Sequence, residues 1–351
     1  MSLGYRFDPH EGSLVPTNTS VRLASRPTGT PDGQTWSTTT EPTAAVEDGQ
    51  ILVRVEQVSL DPAMRGWLDD RPSYVPPVGI GDVMRAGAVG TVEESRNRRF
   101  PTGTPVMGTF GVQQFAISNG SGVEKVDTAL GTPSMYLGVL GITGLTAYYG
   151  LFKHGRPRAG ETVLVSAAAG AVGSVVGQLA RINGCRVVGI AGGPEKCAYL
   201  VESLGFDDAI DYRSGSVRKA IASSCPDGVD VYFDNVGGEI LDAALANLAP
   251  GARVVICGAI SQYNEAGRGG GPANYMSLLV RRASMEGFLY FDNAADFPVA
   301  RRRLANWVSS GAMTAPETLV SGTVADFPDV FLRLFSGDNL GKLILDITER
   351  T

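Results

Sequence analysis

The residues best suited to chemistry form a turn of small side chains, Ala168-Ala169-Gly170-Ala171-Val172-Gly173. The spacing is that of G-x-G-x-x-G with alanine in the first place. Such a turn holds a dinucleotide pyrophosphate when a buried strand precedes it and a helix follows. Phosphate oxygens then meet main-chain N–H groups and the positive end of the helix dipole. Gly170 lets the backbone approach the phosphates, and Gly173 lets helix and strand pack closely. Both flanks are present: Val163-Leu164-Val165 is the apolar run of a buried parallel strand, and Val172, Val175, Val176, Leu179 and Ile182 recur at a helical period. Small residues also pack helices on sheets with no ligand, so the surrounding pattern decides between the two readings.

That pattern begins near residue 130. Strand candidates at 163–166, 186–190, 209–212, 229–234, 253–257 and 285–290 alternate with helix candidates near 171–182, 194–204, 216–223, 238–248 and 273–282. Strands joined by helical crossovers predict an α/β fold, a doubly wound parallel sheet of Rossmann type, with the glycine turn after its first strand. Residues 20–130 read as all-β. Short strands at 51–58, 86–92, 106–110 and 113–117 are separated by turn-rich segments, which suggests a small barrel-like domain. The tail leaves the β-α series, with helices near 297–310 and 328–335 and a strand at 342–347, and is expected to return to the first domain. The expected division is 1–131, then 132–300, then a return at 301–351.

Composition narrows the function. The 351 residues carry a net charge of −6, which speaks against a broad nucleic-acid surface; the short basic clusters at 96–99 and 301–303 read as solvated faces. The four cysteines, Cys185, Cys197, Cys225 and Cys257, form no C-x-x-C pair and read as small hydrophobes in a reducing compartment. The two histidines, His10 and His154, are far apart, which speaks against a zinc site and against a Ser-His-Asp hydrolase. Residues 1–16 lack the apolar core of a signal peptide. The uncharged run 135–152 nears the ~18 residues of a membrane helix, but its four glycines favour a buried loop and helix beside a ligand. A cytoplasmic protein is expected, with a mobile glycine-rich run at 267–272.

The second strand indicates which dinucleotide. An NAD site usually ends that strand with an acid for the ribose 2′-hydroxyl. Here Arg186-Val187-Val188-Gly189-Ile190 runs into Ala191-Gly192-Gly193-Pro194-Glu195-Lys196, with glycine at the expected place. The Lys196 ammonium can pair with a 2′-phosphate. Glu195 at the helix start serves the dipole and points away from it.

Several strings carry a family resemblance: the segment 162–183 with 192–200, Tyr232-Phe233-Asp234-Asn235-Val236-Gly237-Gly238, Ile256-Cys257-Gly258-Ala259-Ile260-Ser261-Gln262-Tyr263-Asn264, and Gly337-Asp338-Asn339-Leu340-Gly341-Lys342. Over about residues 20–348 the chain resembles the zinc-free medium-chain dehydrogenase/reductases, in the branch of the prostaglandin, plant double-bond and curcumin reductases. The resemblance implies a GroES-like catalytic domain, a Rossmann cofactor domain and an active site in the cleft between them. It implies NADP(H) as cofactor, no metal, a small enone or enal substrate, and a homodimer joined through sheet edges near residues 286–290. Ala169, Gly170, Ala171, Val172 and Gly173 would meet the pyrophosphate, and Lys196 and Tyr212 the 2′-phosphate. Asn235 would lie at the end of the fourth strand. Cys257, Gly258, Ala259, Ile260, Ser261 and Tyr263 would run beside the nicotinamide half. Phe288, Leu289 and Tyr290 would wall it, and Asn339 would hold the cofactor from the tail. Read without the family, Tyr212 and Phe288 are core aromatics and Asn235 and Asn339 are turn formers.

The implied reaction delivers hydride to the β-carbon of an α,β-unsaturated ketone or aldehyde, so charge builds on the carbonyl oxygen and needs donors. Tyr263 is the first candidate, and a ribose hydroxyl of the cofactor a second. Leu60-Asp61-Pro62-Ala63-Met64-Arg65-Gly66 matches a family string, but Ala63 stands where several relatives carry tyrosine. Tyr74 is then a candidate to compensate. Met64, Tyr74 and Tyr290 are candidate substrate contacts, with core packing as the alternative for each. Two other functions fit the same cofactor site: a quinone oxidoreductase, and a catalytically silent NADPH-binding protein.

Overall fold

The computed structural model describes residues 5–7, 14–265 and 270–348. His10 and residues 267–269 of the glycine-rich run lie outside them. In chain order the strands are β1 (Tyr5–Phe7), β2 (Leu14–Leu23), β3 (Trp36–Pro42), β4 (Ile51–Ser59), β5 (Ala88–Ser95), β6 (Pro105–Gly108), β7 (Phe115–Ser118), β8 (Glu124–Lys125), β9 (Thr162–Ser166), β10 (Arg186–Ala191), β11 (Asp208–Asp211), β12 (Val229–Asp234), β13 (Leu248–Ile256), β14 (Ser284–Gly287), β15 (Glu317–Ser321) and β16 (Lys342–Asp346). The α-helices are α1 (Ile142–Tyr149), α2 (Ala171–Ile182), α3 (Pro194–Glu202), α4 (Val217–Ser224), α5 (Gly238–Leu245), α6 (Met276–Arg281), α7 (Phe297–Ser309) and α8 (Phe327–Ser336). They divide into two units, one of Met1–Leu137, Leu319–Ser336 and Leu343–Thr351, the other of Gly138–Thr318 and Gly337–Lys342.

The first unit is β-rich. Strands β1, β2 and β3 make an antiparallel sheet, and β15-β16-β4-β5-β6-β8 a second, with β7 paired to β4. Strands β2 and β3 escape a search for apolar alternation because hydroxyls fill them. Thr19 pairs with Thr40 and Ser20 with Thr39 across the ladder, and the apolar anchors Val21, Leu23 and Trp36 sit at one end. Phe327 and Phe331 of α8 stack on each other at 5.4 Å and both meet the Trp36 ring edge-on. This aromatic cluster gives the tail its place in the first core.

The second unit holds a wholly parallel sheet in the order β11-β10-β9-β12-β13-β14. Numbered within the series, the order is 3-2-1-4-5-6, that of a doubly wound sheet. Val163, Leu164 and Val165 of the central strand β9 are fully buried, which stabilises the fold by about 1.5–3 kcal/mol per side chain. Several boundaries differ from the sequence expectation, and three stand out. Helix α5 stops at Leu245, and β13 already pairs Leu248 with Val229 before a register shift across Pro250-Gly251. Strand β14 ends at Gly287, so Phe288–Tyr290 lie outside the sheet. The return to the first unit comes at Leu319 rather than at 301, because α7 packs on α1 and Arg301 donates to the Leu140 oxygen at 2.8 Å. Among the described residues, no helix is long and apolar enough to cross a membrane. The uncharged run around 135–152 instead folds as α1 and a wide helical turn, Gly150–Gly155, mostly buried in the second unit.

Candidate cofactor site

The glycine turn links β9 to α2. Ala167 takes φ +47°, and the Gly170 N–H donates back to its oxygen at 2.9 Å, so helix α2 starts within one tight bend. A Cβ on Gly173 would stand 2.4 Å from the Ala167 oxygen and 2.8 Å from the Ala168 Cα, so this position requires glycine. On Gly170 it would stand 3.1 Å from the Ala167 oxygen, a tight but less severe contact. The tail segment Gly337–Lys342 runs alongside. Gly341 donates to the Ala169 oxygen at 2.8 Å and forms a parallel bridge with Gly170. Gly341 has φ +63°, and a Cβ there would collide with the Pro316 oxygen.

Beyond the end of β10 positive charge gathers. A Cβ on Gly192 would lie 2.9 Å from the Tyr212 ring and 3.0 Å from the Arg213 guanidinium, so a larger side chain there would displace both. Asp211, the acid at the end of β11, is occupied by the main chain: it accepts from Gly193 and Arg213 N–H at 2.9 Å each, and these bonds hold its carboxyl below the usual range. The Lys196 ammonium donates to the Asn339 oxygen at 2.8 Å. It lies 3.9 Å from where a Gly337 Cβ would be, and the Arg213 guanidinium 3.8 Å from the same point. Two cations thus converge. Burial and then the neighbouring Arg213 push the Lys196 pKa down. Such like-charge crowding is relieved by a bound anion. Tyr212 is 41% exposed, so it is no core aromatic; the Arg213 guanidinium lies 5.6 Å from its ring centre. The sequence reading missed Arg213, whose signal is its place directly after Tyr212. Glu195 is exposed in the first turn of α3.

At the ends of β12 and β13 the loops interlock. Asn235 donates its amide to the Ser166 oxygen at 2.7 Å, tying β12 to β9. The Ser261 hydroxyl donates to the Val236 oxygen at 2.6 Å, and a helical turn Ile260–Gln262 delivers Tyr263. The Tyr263 hydroxyl accepts the Ala259 N–H at 3.3 Å and sits 3.0 Å from a Cβ position on Gly258. Burial pushes the Cys257 thiol up to about 12.

The remaining candidates fall in different settings. Phe288 stacks on His154 at 5.0 Å, meets Phe233 edge-on, and fills the space a Gly150 side chain would take, so much of its ring is engaged in packing. Tyr290 stacks on Phe297 at 5.7 Å, and Leu289, between Phe288 and Tyr290 in the chain, is partly exposed. In the first unit Met64 is fully buried in the core, its sulfur accepting the Asp61 N–H, whereas Tyr74 is 50% exposed. Asn339 donates its amide to the Gly341 oxygen at 3.1 Å and offers its own oxygen to Lys196.

These residues fit NADP(H): a tight turn with no room for a Cβ at Gly173, a helix N-terminus, and paired cations beyond the ends of β10 and β11 beside a glycine. Comparisons with known proteins agree. The family model for the N-terminal domain of oxidoreductase matches residues 19–126, and that for zinc-binding dehydrogenase matches 171–306. The chain is 42% identical over 339 residues to the putative NADP-dependent oxidoreductase YfmJ of Bacillus subtilis (strain 168), covering 96% of this chain and 99% of the relative. It is 39% identical over 333 residues to the NADPH-dependent curcumin reductase of Escherichia coli (strain K12), covering 93% and 95%. The crystal structure of CurA from Vibrio vulnificus in complex with NADPH matches with TM-score 0.90 and 39% identity, covering 95% of this chain and all 100% of that one.

Fold and site together define an NADP-dependent oxidoreductase. Among the described residues, no group of three or more His, Cys, Asp or Glu side chains is placed to hold a metal ion. The chain belongs to the zinc-free medium-chain dehydrogenase/reductases, in the branch of the prostaglandin and curcumin reductases.

Proposed function

We propose that this enzyme reduces the carbon–carbon double bond of α,β-unsaturated ketones and aldehydes with NADPH. The observation that carries the reading is the Tyr263 hydroxyl, which accepts the Ala259 N–H at the mouth of β13. A phenol oxygen that accepts a main-chain N–H becomes a stronger donor through its own O–H. Placed at the substrate carbonyl, that donor stabilises the charge that develops there. NADPH, when bound, supplies the hydride. Ala169 to Gly173 hold its pyrophosphate, and Lys196, Tyr212 and Arg213 hold its 2′-phosphate. Gly258 to Ser261 and Asn339 border the rest, with Leu289 and Tyr290 as an apolar wall. The relative named NADPH-dependent curcumin reductase supports reduction with this cofactor.

The test is NADPH consumption across a series of enones, enals and quinones, with product analysis. A saturated ketone from the enone is the expected result. Turnover of quinones alone, with semiquinone formation, overturns the proposal in favour of a quinone oxidoreductase. NADPH binding without turnover of any of them points to a silent binding protein.

We further propose a homodimer through the β14 edge of the sheet. This edge is exposed, and α6 beside it presents Met276, Leu279 and Val280 at 49%, 70% and 67% exposure. An unpaired strand edge next to apolar side chains is a pairing surface. Leu279→Glu is expected to halve the mass seen by sedimentation; an unchanged mass sinks the assignment of this edge.

A further inference from the structure

Asp234 ends β12 and is 1% exposed. One oxygen of its carboxylate, Oδ1, accepts four hydrogen bonds: from the Tyr232 hydroxyl at 2.7 Å, the Gly237 N–H at 3.0 Å, the Val236 N–H at 3.1 Å and the Ser166 hydroxyl at 3.1 Å. Burial and the carboxylate beside it hold the Tyr232 phenol well above its ordinary pKa, so it stays a donor. The main-chain oxygen of Asp234 accepts from Cys257 at 2.9 Å and Gly258 at 3.1 Å.

The turn shaped by Oδ1 in turn grips the next loop. The Asn235 oxygen accepts from Ile260 N–H, and the Val236 oxygen accepts from Ser261 N–H, each at 3.2 Å, together with the Ser261 hydroxyl at 2.6 Å. Gly237 and Gly238 both take positive φ, and a Cβ on Gly238 would lie 3.1 Å from the Ser261 hydroxyl. The two loops therefore lie in direct contact. They run beyond the last rung of the β12–β13 ladder, Asp234 opposite Ile256, so these bonds take over where the sheet stops. Tyr263 follows this gripped segment immediately.

We infer that Asp234 is a positioning residue for the reaction: its carboxylate sets the 235–238 turn, and that turn holds the 257–263 loop so that the Tyr263 hydroxyl meets the reacting carbonyl. The inference rests on the reading of Tyr263 as the donor. An accepting Oδ1 is what matters here, and Asn keeps one whereas Ala does not.

The experiment is a double-mutant cycle between Asp234→Ala and Tyr263→Phe, read by kcat for an enone and by NADPH affinity from cofactor fluorescence. Asp234→Ala is expected to lower kcat about ten- to hundred-fold, as a small misplacement of a reacting group does. NADPH affinity should fall much less than kcat, because the turn at 168–173 and the cations are untouched and only the bordering 258–261 loop is loosened. Asp234→Asn should recover most of the rate. The double variant should be no slower than the slower single one, since both changes act through one hydroxyl. Multiplied losses overturn the inference and leave Tyr263 as donor. An unchanged kcat in Asp234→Ala overturns it as well. A silent Tyr263→Phe overturns the donor reading and this inference together. Where Asp234→Ala does not fold, Ser261→Ala breaks the same path at an exposed position: a kcat loss that does not multiply with Tyr263→Phe is expected, and no loss refutes the path.

Discussion

The Lys196 ammonium donates to the main-chain oxygen of Asn339 at 2.8 Å, joining the start of α3 to the tail segment 143 residues further on. Arg213 reaches the same place from the end of β11. Lys196→Ala and Arg213→Ala should each weaken NADPH binding about ten- to hundred-fold, the range of a lost charge-assisted bond, and change NADH binding little. Titration of each variant with both dinucleotides measures this. Equal losses for NADH and NADPH would remove the residue from the 2′-phosphate site.

Burial and Arg213 lower the Lys196 pKa from its ordinary 10.5. A lysine with a lowered pKa is charged below that value and loses its proton as pH rises through it, earlier than a free lysine would. Preference for NADPH over NADH should therefore fall over the alkaline range below the ordinary 10.5 of lysine, earlier than a free lysine would set it. Lys196→Arg, always protonated, should hold the preference flat over that range. A parallel fall in the arginine variant would assign the pH effect to another group.

Glycine at 173 is a packing requirement. Gly173→Ala puts a methyl 2.4 Å from the Ala167 oxygen, whereas Gly170→Ala meets the same oxygen at 3.1 Å. Overpacking of this severity costs about 1–3 kcal/mol. Urea melts should show that loss for Gly173→Ala and a smaller one for Gly170→Ala. Equal stabilities would mean that the turn relaxes around the methyl.

Tyr263→Phe removes the proposed donor and keeps the ring. The rate constant kcat should drop about 10²-fold, with NADPH affinity nearly unchanged. Stopped-flow single turnovers separate the two quantities. An unaltered rate would take Tyr263 out of the chemistry.

The enones proposed as substrates are electrophiles, against which inert thiols protect. Burial raises all four cysteines, Cys225 to about 11 and Cys257 to about 12. Thiolate is the reactive form. Native protein near neutral pH should react slowly with a maleimide at every cysteine, and quickly at all of them once unfolded. A fast-reacting Cys257 in the native protein would contradict its burial.

Much of this was legible in one dimension. Buried strands written as unbroken Val and Leu runs, the period of α2 and the small residues between them are local features, and local features define a βα dinucleotide turn. Glycine at 192 in place of an acid, with Lys196 after it, indicated the phosphate. Other features depended on partners distant in the chain. Strands β2 and β3 carry hydroxyls that pair only across their ladder, so no alternation marks them. Arg213 looks like any surface arginine until the fold sets it opposite Lys196. Asp234 reads as one letter of a string until the sheet ends gather four donors on one oxygen. Met64, a candidate for substrate contact by its neighbours in sequence, is packed fully inside the first core. Backbone conformation and burial pattern are short-range properties that the order of residues determined by itself. The convergence of charges and donors on a site is a long-range property, and only the tertiary structure decided it.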